Sequence, residues 1–150
     1  MPASPQTLPP ALVVFGGTGF VGTAVLAEAL LQNKDLQIVA LSRTGVAPAW
    51  LSAEPVYQTT RLRFVSGDLL APQTGRDALR AVRPKYNIVG CISCVGVITP
   101  WSQTNMVRTC GDANINAYTI SREIGATKFA VITRTRCQEG RECRGNAAAF

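Results

Sequence analysis

The sequence predicts an α/β protein with three layers, in which helices cover both faces of a doubly wound parallel sheet of about five strands. Short apolar runs alternate along the chain with stretches of helical periodicity, and this alternation is typical of parallel sheets. The most apolar runs, residues 11–15 and 88–97, lack polar alternation and are therefore expected to be buried on both faces. A glycine-rich turn joins the first of these runs to the first helix.

The predicted elements follow the order β-α-β-loop-β-α-β-α-β. From apolar and β-branched content, we predict strands at residues 11–15, 36–43, 61–65, 88–97 and 128–133. Helical spacing of apolar residues predicts helices at 20–32, 74–82 and 105–124, and at most one helical turn near 50–54 in the loop 44–60. Gly125 is a suitable end for the last of these helices.

Both ends of the chain differ from this pattern. Residues 1–10 contain four prolines and no Lys or Arg, which predicts a disordered arm rather than a targeting peptide. Residues 11–133 are predicted to form one domain, and residues 134–150 an irregular basic tail. Because the pattern stops where a doubly wound fold would begin its second half, we interpret the domain as truncated. A protein that is naturally short is the alternative.

Composition excludes several kinds of chemistry. The 150 residues carry a net charge of +6 and include no histidine, which rules out Ser-His-Asp triads, Cys-His pairs and histidine metal sites. No metal site is predicted. No basic stripe interleaved with aromatic residues is present, so nucleic acid is not a predicted partner, whereas an anionic cofactor suits the mild positive charge. No apolar run is long enough to predict a transmembrane segment.

Cys91 and Cys94 form a C-x-x-C pattern within an apolar, strand-like run. A redox C-x-x-C normally opens a helix, whose dipole lowers the pKa of the thiol. We therefore predict free, buried thiols in a reducing compartment, with a redox pair or a zinc site as the alternatives.

The glycine-rich turn is the strongest functional signal. It consists of Gly16, Gly17, Thr18, Gly19, Phe20, Val21 and Gly22. Gly16 is expected to allow the tight turn, Gly19 to let backbone approach a pyrophosphate, and Gly22 to let the helix pack closely. The free amides of the helix start would bind phosphate oxygens, and Thr18 could add a hydroxyl donor. The alternative is a flexible turn with no ligand.

The spacing G-x-x-G-x-x-G resembles the cofactor fingerprint of extended and atypical short-chain dehydrogenases/reductases, which have a Rossmann-like fold and bind NAD(P). Further similarity at residues 41–43, 66–69 and 111–117 extends the match over about residues 11–133. Within that superfamily the chain is most similar to a divergent group with a mitochondrial coenzyme Q biosynthesis protein, a complex I accessory subunit and plastid relatives. The resemblance implies a mitochondrial or plastid protein, otherwise a cytoplasmic one, with a link to quinone or respiratory-chain biology.

Cofactor preference is predicted from the end of the second strand. NAD sites usually present an acidic residue there, whereas this chain has Ser42 and Arg43, and Arg43 suits a 2′-phosphate. We therefore predict NADP in preference to NAD. The resemblance implies that Asp68, followed by Leu69, meets the adenine, and Ser93 is expected near the nicotinamide. The alternatives are a solvated cation for Arg43, a turn-forming residue for Asp68 and a small packing residue for Ser93.

The Tyr-x-x-x-Lys pair that these reductases use for proton transfer is not found after the fifth predicted strand. Tyr118 and Arg122 form a Y-x-x-x-R pattern, but on the preceding helix. No catalytic residue is assigned, and enzymatic activity is left open. Three hypotheses remain: a reductase-type cofactor-binding protein, a non-catalytic assembly or stabilising module that binds NADP(H), and a truncated inactive fragment. Protein partners are possible, and the sequence does not identify a substrate.

Overall fold

The structure is a computed structural model that describes residues 7–97 and 101–132. The predicted tail, residues 134–150, and most of the predicted arm lie outside the described residues. The same is true of Cys137, Cys143 and the last residue of the fifth predicted strand.

The described residues form five strands and five α-helices, with one helix after each of the first three strands and two between the fourth and the fifth. The strands are β1 (Pro10–Phe15), β2 (Gln37–Ser42), β3 (Leu62–Ser66), β4 (Asn87–Ser93) and β5 (Phe129–Val131). The helices are α1 (Phe20–Gln32), α2 (Ala49–Ala53), α3 (Pro72–Val82), α4 (Gln103–Val107) and α5 (Ala113–Glu123). Short 3-10 turns occupy Pro55–Tyr57 and Arg83–Lys85, and a π-helical turn occupies Arg108–Asp112. None of the helices within these described ranges is both long enough and apolar enough to cross a membrane.

The strands form one parallel sheet in the order β3-β2-β1-β4-β5. The chain therefore runs outward from β1 to β3, crosses back over β1, and continues outward through β4. Phe15 lies beside Leu41 in β2 and beside Ser93 in β4, so these three strands end at the same level. The predicted doubly wound α/β class is confirmed. The switch point between β1 and β4 is where such sheets open a crevice at their carboxyl ends.

Each face of the sheet has its own apolar core. On one face, Val13, Phe15 and Leu41 pack with residues of α3 and α5, including Leu79 and Ile120. On the other face, α1 contributes Leu26 and Leu30, which pack with Val14, Ile38 and Ala40 of the central strands. Both faces of β1 and β2 are therefore covered, which agrees with the prediction for residues 11–15 and with the almost continuously apolar sequences of the two strands.

The carboxyl end of α1 is held by a side chain from a distant part of the chain. No basic residue lies in the last turn of α1. Instead, the Arg61 guanidinium, just before β3, donates to the carbonyl oxygens of Leu30 at 2.9 Å, Asn33 at 2.8 Å and Leu36 at 3.4 Å. A cation at this position satisfies carbonyl groups that a helix end leaves unpaired and complements the helix dipole.

Strand β4 is shorter than predicted, because it ends at Ser93 and not at residue 97. Its neighbour β1 ends at Phe15, where the chain turns into the glycine-rich segment. The Cys94 amide still donates to the Phe15 carbonyl at 2.9 Å, and beyond that bond β1 offers no further partner. Residues 94–97 therefore leave the sheet although they are apolar, so the prediction of a continuous strand was wrong.

The predicted helix 105–124 is confirmed as a continuous helical segment from α4 to α5, but a π-helical turn within it interrupts the regular α-helical hydrogen bonds. Gly111 lies in this turn and has a poor helix propensity. The Asn114 side chain donates to the Cys110 carbonyl at 2.9 Å, so that a side-chain amide supplies a hydrogen bond to the backbone of this turn. The predicted apolar stripe is buried only from Ala113 onward, since Cys110 is exposed. Single π-helical turns occur frequently at functional sites.

The remaining boundaries agree with prediction within a few residues. The single helical turn expected near residues 50–54 is α2, at Ala49–Ala53. Helix α3 begins at Pro72, two residues earlier than predicted, because proline needs no hydrogen-bond acceptor at the first helical position.

Candidate nucleotide-binding site

A cleft of about 480 Å³ lies at the carboxyl ends of the central strands. Four loops form its walls, one after each of β1, β2, β3 and β4, and α4 and the π-helical turn contribute one side. The lining residues are Gly16, Thr18, Gly19, Leu41, Ser42, Arg43, Gly67, Asp68, Leu69, Leu70, Cys94, Val95, Gly96, Val97, Asn105, Thr109 and Ala113. The cleft therefore occupies the switch point of the sheet, the place where open α/β sheets bind ligands.

The glycine-rich turn forms the floor of the cleft. Gly16 has a φ of +74°, a conformation that residues with side chains rarely adopt, and its amide donates to Leu41 O at 2.9 Å. Gly19 is the N-cap of α1, and no described side chain caps this helix start. The first regular helical bond runs from the Thr23 amide to the Gly19 carbonyl at 2.9 Å. The amides of the first helical turn are therefore oriented as in phosphate-binding helix starts.

Three of the glycines in this turn differ in how much space an added Cβ atom would have. A Cβ atom at Gly17 would lie 2.8 Å from the Cβ of Ala40, and one at Gly22 would overlap the Gly16 carbonyl group. Gly22 thus permits close packing of α1, as predicted, although against the turn itself and not against a strand. At Gly19 the nearest atom to an added Cβ is Gly16 O at 3.4 Å, so a side chain there would fit the protein and project into its surroundings.

The loop after β2 is fixed by hydrogen bonds to its backbone. Ser42 is buried and its hydroxyl accepts from the Gly45 amide at 3.1 Å, while the Ser66 hydroxyl donates to the Arg43 carbonyl at 2.9 Å. Gly45 has a φ of +67° and packs directly on Ser66. Arg43 itself is exposed on the cleft wall, and within the described residues its guanidinium has no carboxylate or carbonyl partner.

The loop after β3 contains Asp68 and Leu69. An Asp68 carboxylate oxygen accepts from the Leu70 amide at 2.9 Å, and the Asp68 amide donates to the Thr74 hydroxyl at 2.8 Å. Leu69 is buried, and its carbonyl accepts from the Asn116 side chain at 2.7 Å. Both helices that cover this face of the sheet, α3 and α5, therefore hold this loop.

Ser93 does not reach the cleft. It is fully buried, and its hydroxyl donates to the Asn114 side-chain oxygen. The Asn114 amide group donates in turn to Val95 O at 3.0 Å. Ser93 and Asn114 thus support the loop after β4, and Val95 is one of the loop residues that form the wall.

The C-x-x-C cysteines are free thiols on opposite faces of the sheet. Cys91 is part of the core beneath α5, whereas Cys94 packs against the core beneath α1. Burial raises the pKa of each thiol from 9.0 to about 11, so both are protonated at neutral pH. This arrangement is unsuited to a redox pair, which requires an accessible thiol of lowered pKa.

The structure thus brings together most, but not all, of the residues predicted for the site. Those on the cleft wall are Gly16, Thr18, Gly19, Ser42, Arg43, Asp68 and Leu69, and those away from it are Gly17, Phe20, Val21, Gly22 and Ser93. Phe20 is 94% exposed at the helix start. Asn105 and Thr109 were missed, because a single long helix would not have predicted which of its residues turn toward the cleft.

Tyr118 and Arg122 lie outside the cleft. The Arg122 guanidinium carbon is 6.0 Å from the centroid of the Tyr118 ring, which packs edge-on against Phe129 at 5.4 Å. This pair belongs to a separate, shallow surface on α5. The Y-x-x-x-R pattern is therefore part of a helix surface and not of the candidate site.

This parallel sheet, its glycine-rich strand-to-helix turn and the cleft at the switch point define the class of Rossmann-like α/β proteins. The chain belongs to the NAD dependent epimerase/dehydratase family, whose model matches residues 12–128. The superfamily predicted from the sequence is therefore confirmed at this level.

Individual relatives agree with this assignment. An uncharacterized chloroplastic protein of Arabidopsis thaliana is 28% identical over 125 residues, which are 81% of this chain and 36% of that protein. The UDP-glucuronic acid 4-epimerase of Bacillus cereus in complex with NAD is 18% identical, with a TM-score of 0.59 over 81% of this chain and 39% of the epimerase. ElxO with NADP bound is 11% identical, with a TM-score of 0.66 over 83% of this chain and 55% of ElxO. The chain thus spans about a third of the length of the plant relative.

Proposed function

We propose that this chain binds NADP(H) across the cleft, with the pyrophosphate on the glycine-rich turn. The observation that carries the proposal is the uncapped start of α1 beside Gly19, where an added Cβ would meet no protein atom closer than 3.4 Å. Amides and the helix dipole at this point favour an anion, and no acidic residue lies in the first turn of α1. The bound cofactors of the Bacillus epimerase and of ElxO support the same class of ligand.

Orientation of the cofactor follows from the polar groups on the two sides of the turn. The loops after β2 and β3 present Arg43 and Asp68, so the adenosine half is assigned to that side. The loop after β4, with α4 and the π-helical turn, then faces the nicotinamide half. The proposed preference for NADP rests on Arg43, because its guanidinium, which has no carboxylate partner within the described part of the chain, suits a 2′-phosphate and no acidic residue occupies the end of β2.

We further propose that the chain is the cofactor-binding part of an oxidoreductase-type protein from the divergent group with plastid relatives. The chloroplastic plant relative supports a plastid location. A link to quinones rests on the sequence resemblance alone.

A second candidate is a module that binds NADP(H) without turnover. It is favoured by the composition of the cleft wall, which within the described residues includes no tyrosine and no lysine. In such a module the cofactor would stabilise the fold by mass action.

Binding is tested with Gly19→Val, because its branched side chain would occupy the space assigned to the pyrophosphate, while its Cβ comes no closer than 3.4 Å to the protein. We expect the Kd for NADPH in fluorescence titration to rise at least about a hundredfold, or about 2.7 kcal/mol. Ala24→Val is the control, since Ala24 is exposed on the same helix and does not line the cleft. Unchanged affinity in a folded Gly19→Val protein would refute the proposed site.

The two candidate functions are distinguished by turnover. The oxidoreductase predicts that NADPH raises the Tm of the full chain and is oxidised when quinones or other carbonyl acceptors are added. The non-catalytic module predicts the same rise in Tm with no oxidation above the rate without protein.

A further inference from the structure

Helix α5 carries two asparagines that reach different walls of the cleft. Asn114 donates to the Val95 carbonyl at 3.0 Å, in the loop after β4. Asn116 donates to the Leu69 carbonyl at 2.7 Å, in the loop after β3. Residues that are two apart on a helix point in different directions, so a single helix turn holds both loops.

The contact made by Asn116 continues directly to the Asp68 carboxylate. The Leu69 carbonyl and the Leu70 amide belong to one planar peptide unit. Asn116 holds the oxygen of this unit, and Asp68 Oδ1 accepts from its N–H at 2.9 Å. Asn116 therefore fixes the orientation of this peptide, and the peptide in turn orients the Asp68 carboxylate.

Packing around Asn116 indicates that its polar side chain serves the loop after β3 and not the apolar core. Its neighbours Ala113, Ala117 and Ile120 on α5 are buried apolar residues. Asn116 is half-buried and directs its amide to a single carbonyl of a loop that α3 also holds, through Thr74. An apolar side chain could fill the same space but would leave the Leu69 carbonyl without this donor, so that only the bond to Asp68 would orient the peptide.

We infer that Asn116 is a positioning residue for the adenosine half of the cofactor, acting through the Leu69–Leu70 peptide on Asp68. The inference rests on the proposed function. Asn116 itself stays behind the loop and does not contribute to the cleft wall.

The test uses ADP, which both nicotinamide dinucleotides contain, and NADPH as the complete ligand. We expect Asn116→Ala to weaken the binding of ADP and of NADPH by the same factor, about tenfold in Kd. This corresponds to about 1.4 kcal/mol, the size of one hydrogen bond to the charged Asp68 carboxylate. Asn114→Ala should weaken the binding of NADPH more than that of ADP, because Asn114 supports the opposite wall, which faces the nicotinamide half. Thr127→Val is the matched control: its hydroxyl donates to Val89 O at 2.9 Å, near the amino ends of the strands.

A double-mutant cycle separates positioning from a general structural role. If Asn116 acts through Asp68, Asn116→Ala combined with Asp68→Ala should bind ADP no more weakly than Asp68→Ala alone. Additive losses would overturn the inference, as would an Asn116→Ala protein with unchanged ADP affinity. Asn116→Ser serves as the milder variant if Asn116→Ala does not fold. Wild-type protein that binds neither ADP nor NADPH would refute the proposed function, an outcome distinct from failure of the Asn116 inference.

Discussion

Gly22 lies directly against the carbonyl group of Gly16, so that a Cβ atom at Gly22 would overlap the Gly16 oxygen and sit 2.9 Å from its carbonyl carbon. Gly19, between them in the turn, meets no such obstacle. One glycine of the turn is therefore required for folding and another, by our proposal, for binding. The two requirements can be separated by mutation.

Gly22→Ala is expected to destabilise the protein by about 3 kcal/mol or more, because backbone atoms must move to relieve the overlap. Gly19→Ala should change the free energy of unfolding little. Urea unfolding followed by circular dichroism measures both. Equal stabilities of the two variants would contradict the packing described for α1.

Arg43→Asp is expected to reduce the preference for NADPH over NADH. Loss of hydrogen bonds to a charged group is worth about 1.5–3 kcal/mol, or about ten- to hundredfold in the ratio of the two Kd values. Titration with both cofactors gives this ratio. Arg63→Asp is the control, since Arg63 is exposed on β3 and does not line the cleft. An unaltered ratio of the two Kd values in Arg43→Asp would show that Arg43 does not take part in the site.

Arg61→Ala should lower the free energy of unfolding by about 1.5–3 kcal/mol, because three carbonyl groups near the end of α1 lose a charged donor. Arg63→Ala is again the control and should stay within about 0.5 kcal/mol of wild type, as is usual for exposed positions. Chemical denaturation provides both values. Equal effects of the two substitutions would mean that the Arg61 contacts contribute nothing specific.

Stability is expected to fall between about pH 9 and pH 11, in part because of Cys91. Burial raises the pKa of this thiol from 9.0 to about 11, although a hydrogen bond with Ser121 acts the other way. In that window the unfolded chain has lost the proton and the folded protein retains it, so rising pH favours unfolding. Below pH 9 both states are protonated and the contribution to stability is fully present.

The measurement is urea unfolding at pH 8 and at pH 10.5, with a reductant present. Cys91→Ala should reduce the fall in stability between the two pH values, and Cys110→Ala is the control. Cys94 contributes in the same direction, so only part of the fall should disappear. An identical fall in wild type and Cys91→Ala would exclude Cys91 as a cause.

The sequence was sufficient to predict the α/β class and to place the glycine-rich turn between β1 and α1, because those features depend on local patterns. The apolar run before Gly16 and the spacing of the glycines specify a strand, a turn and a helix within a few residues of one another. Ser42, Arg43 and Asp68 could be placed near this turn, since the carboxyl ends of parallel strands meet at one edge of the sheet.

The parts that sequence reasoning missed depend on contacts between distant segments. For Ser93 the sequence left two roles open, at the cofactor or in packing, and only the structure shows its buried hydroxyl bonded to Asn114, on a helix about twenty residues later. The end of β4 depends on where β1 ends, and apolar composition carries no information about that. Asn116 makes its contact across 47 positions of the chain, and no local pattern marks it.

All residues of the cleft wall lie between Gly16 and Ala113, and the last side chain that supports it is Asn116. During synthesis, these segments would leave the ribosome before β5, one of the two edge strands of the sheet. If the proposed cofactor binds here, it would engage a nascent chain whose sheet is still incomplete, and its binding energy would favour the native arrangement of the four earlier strands. Cofactor supply would in this way influence how much of the newly made protein reaches its folded state.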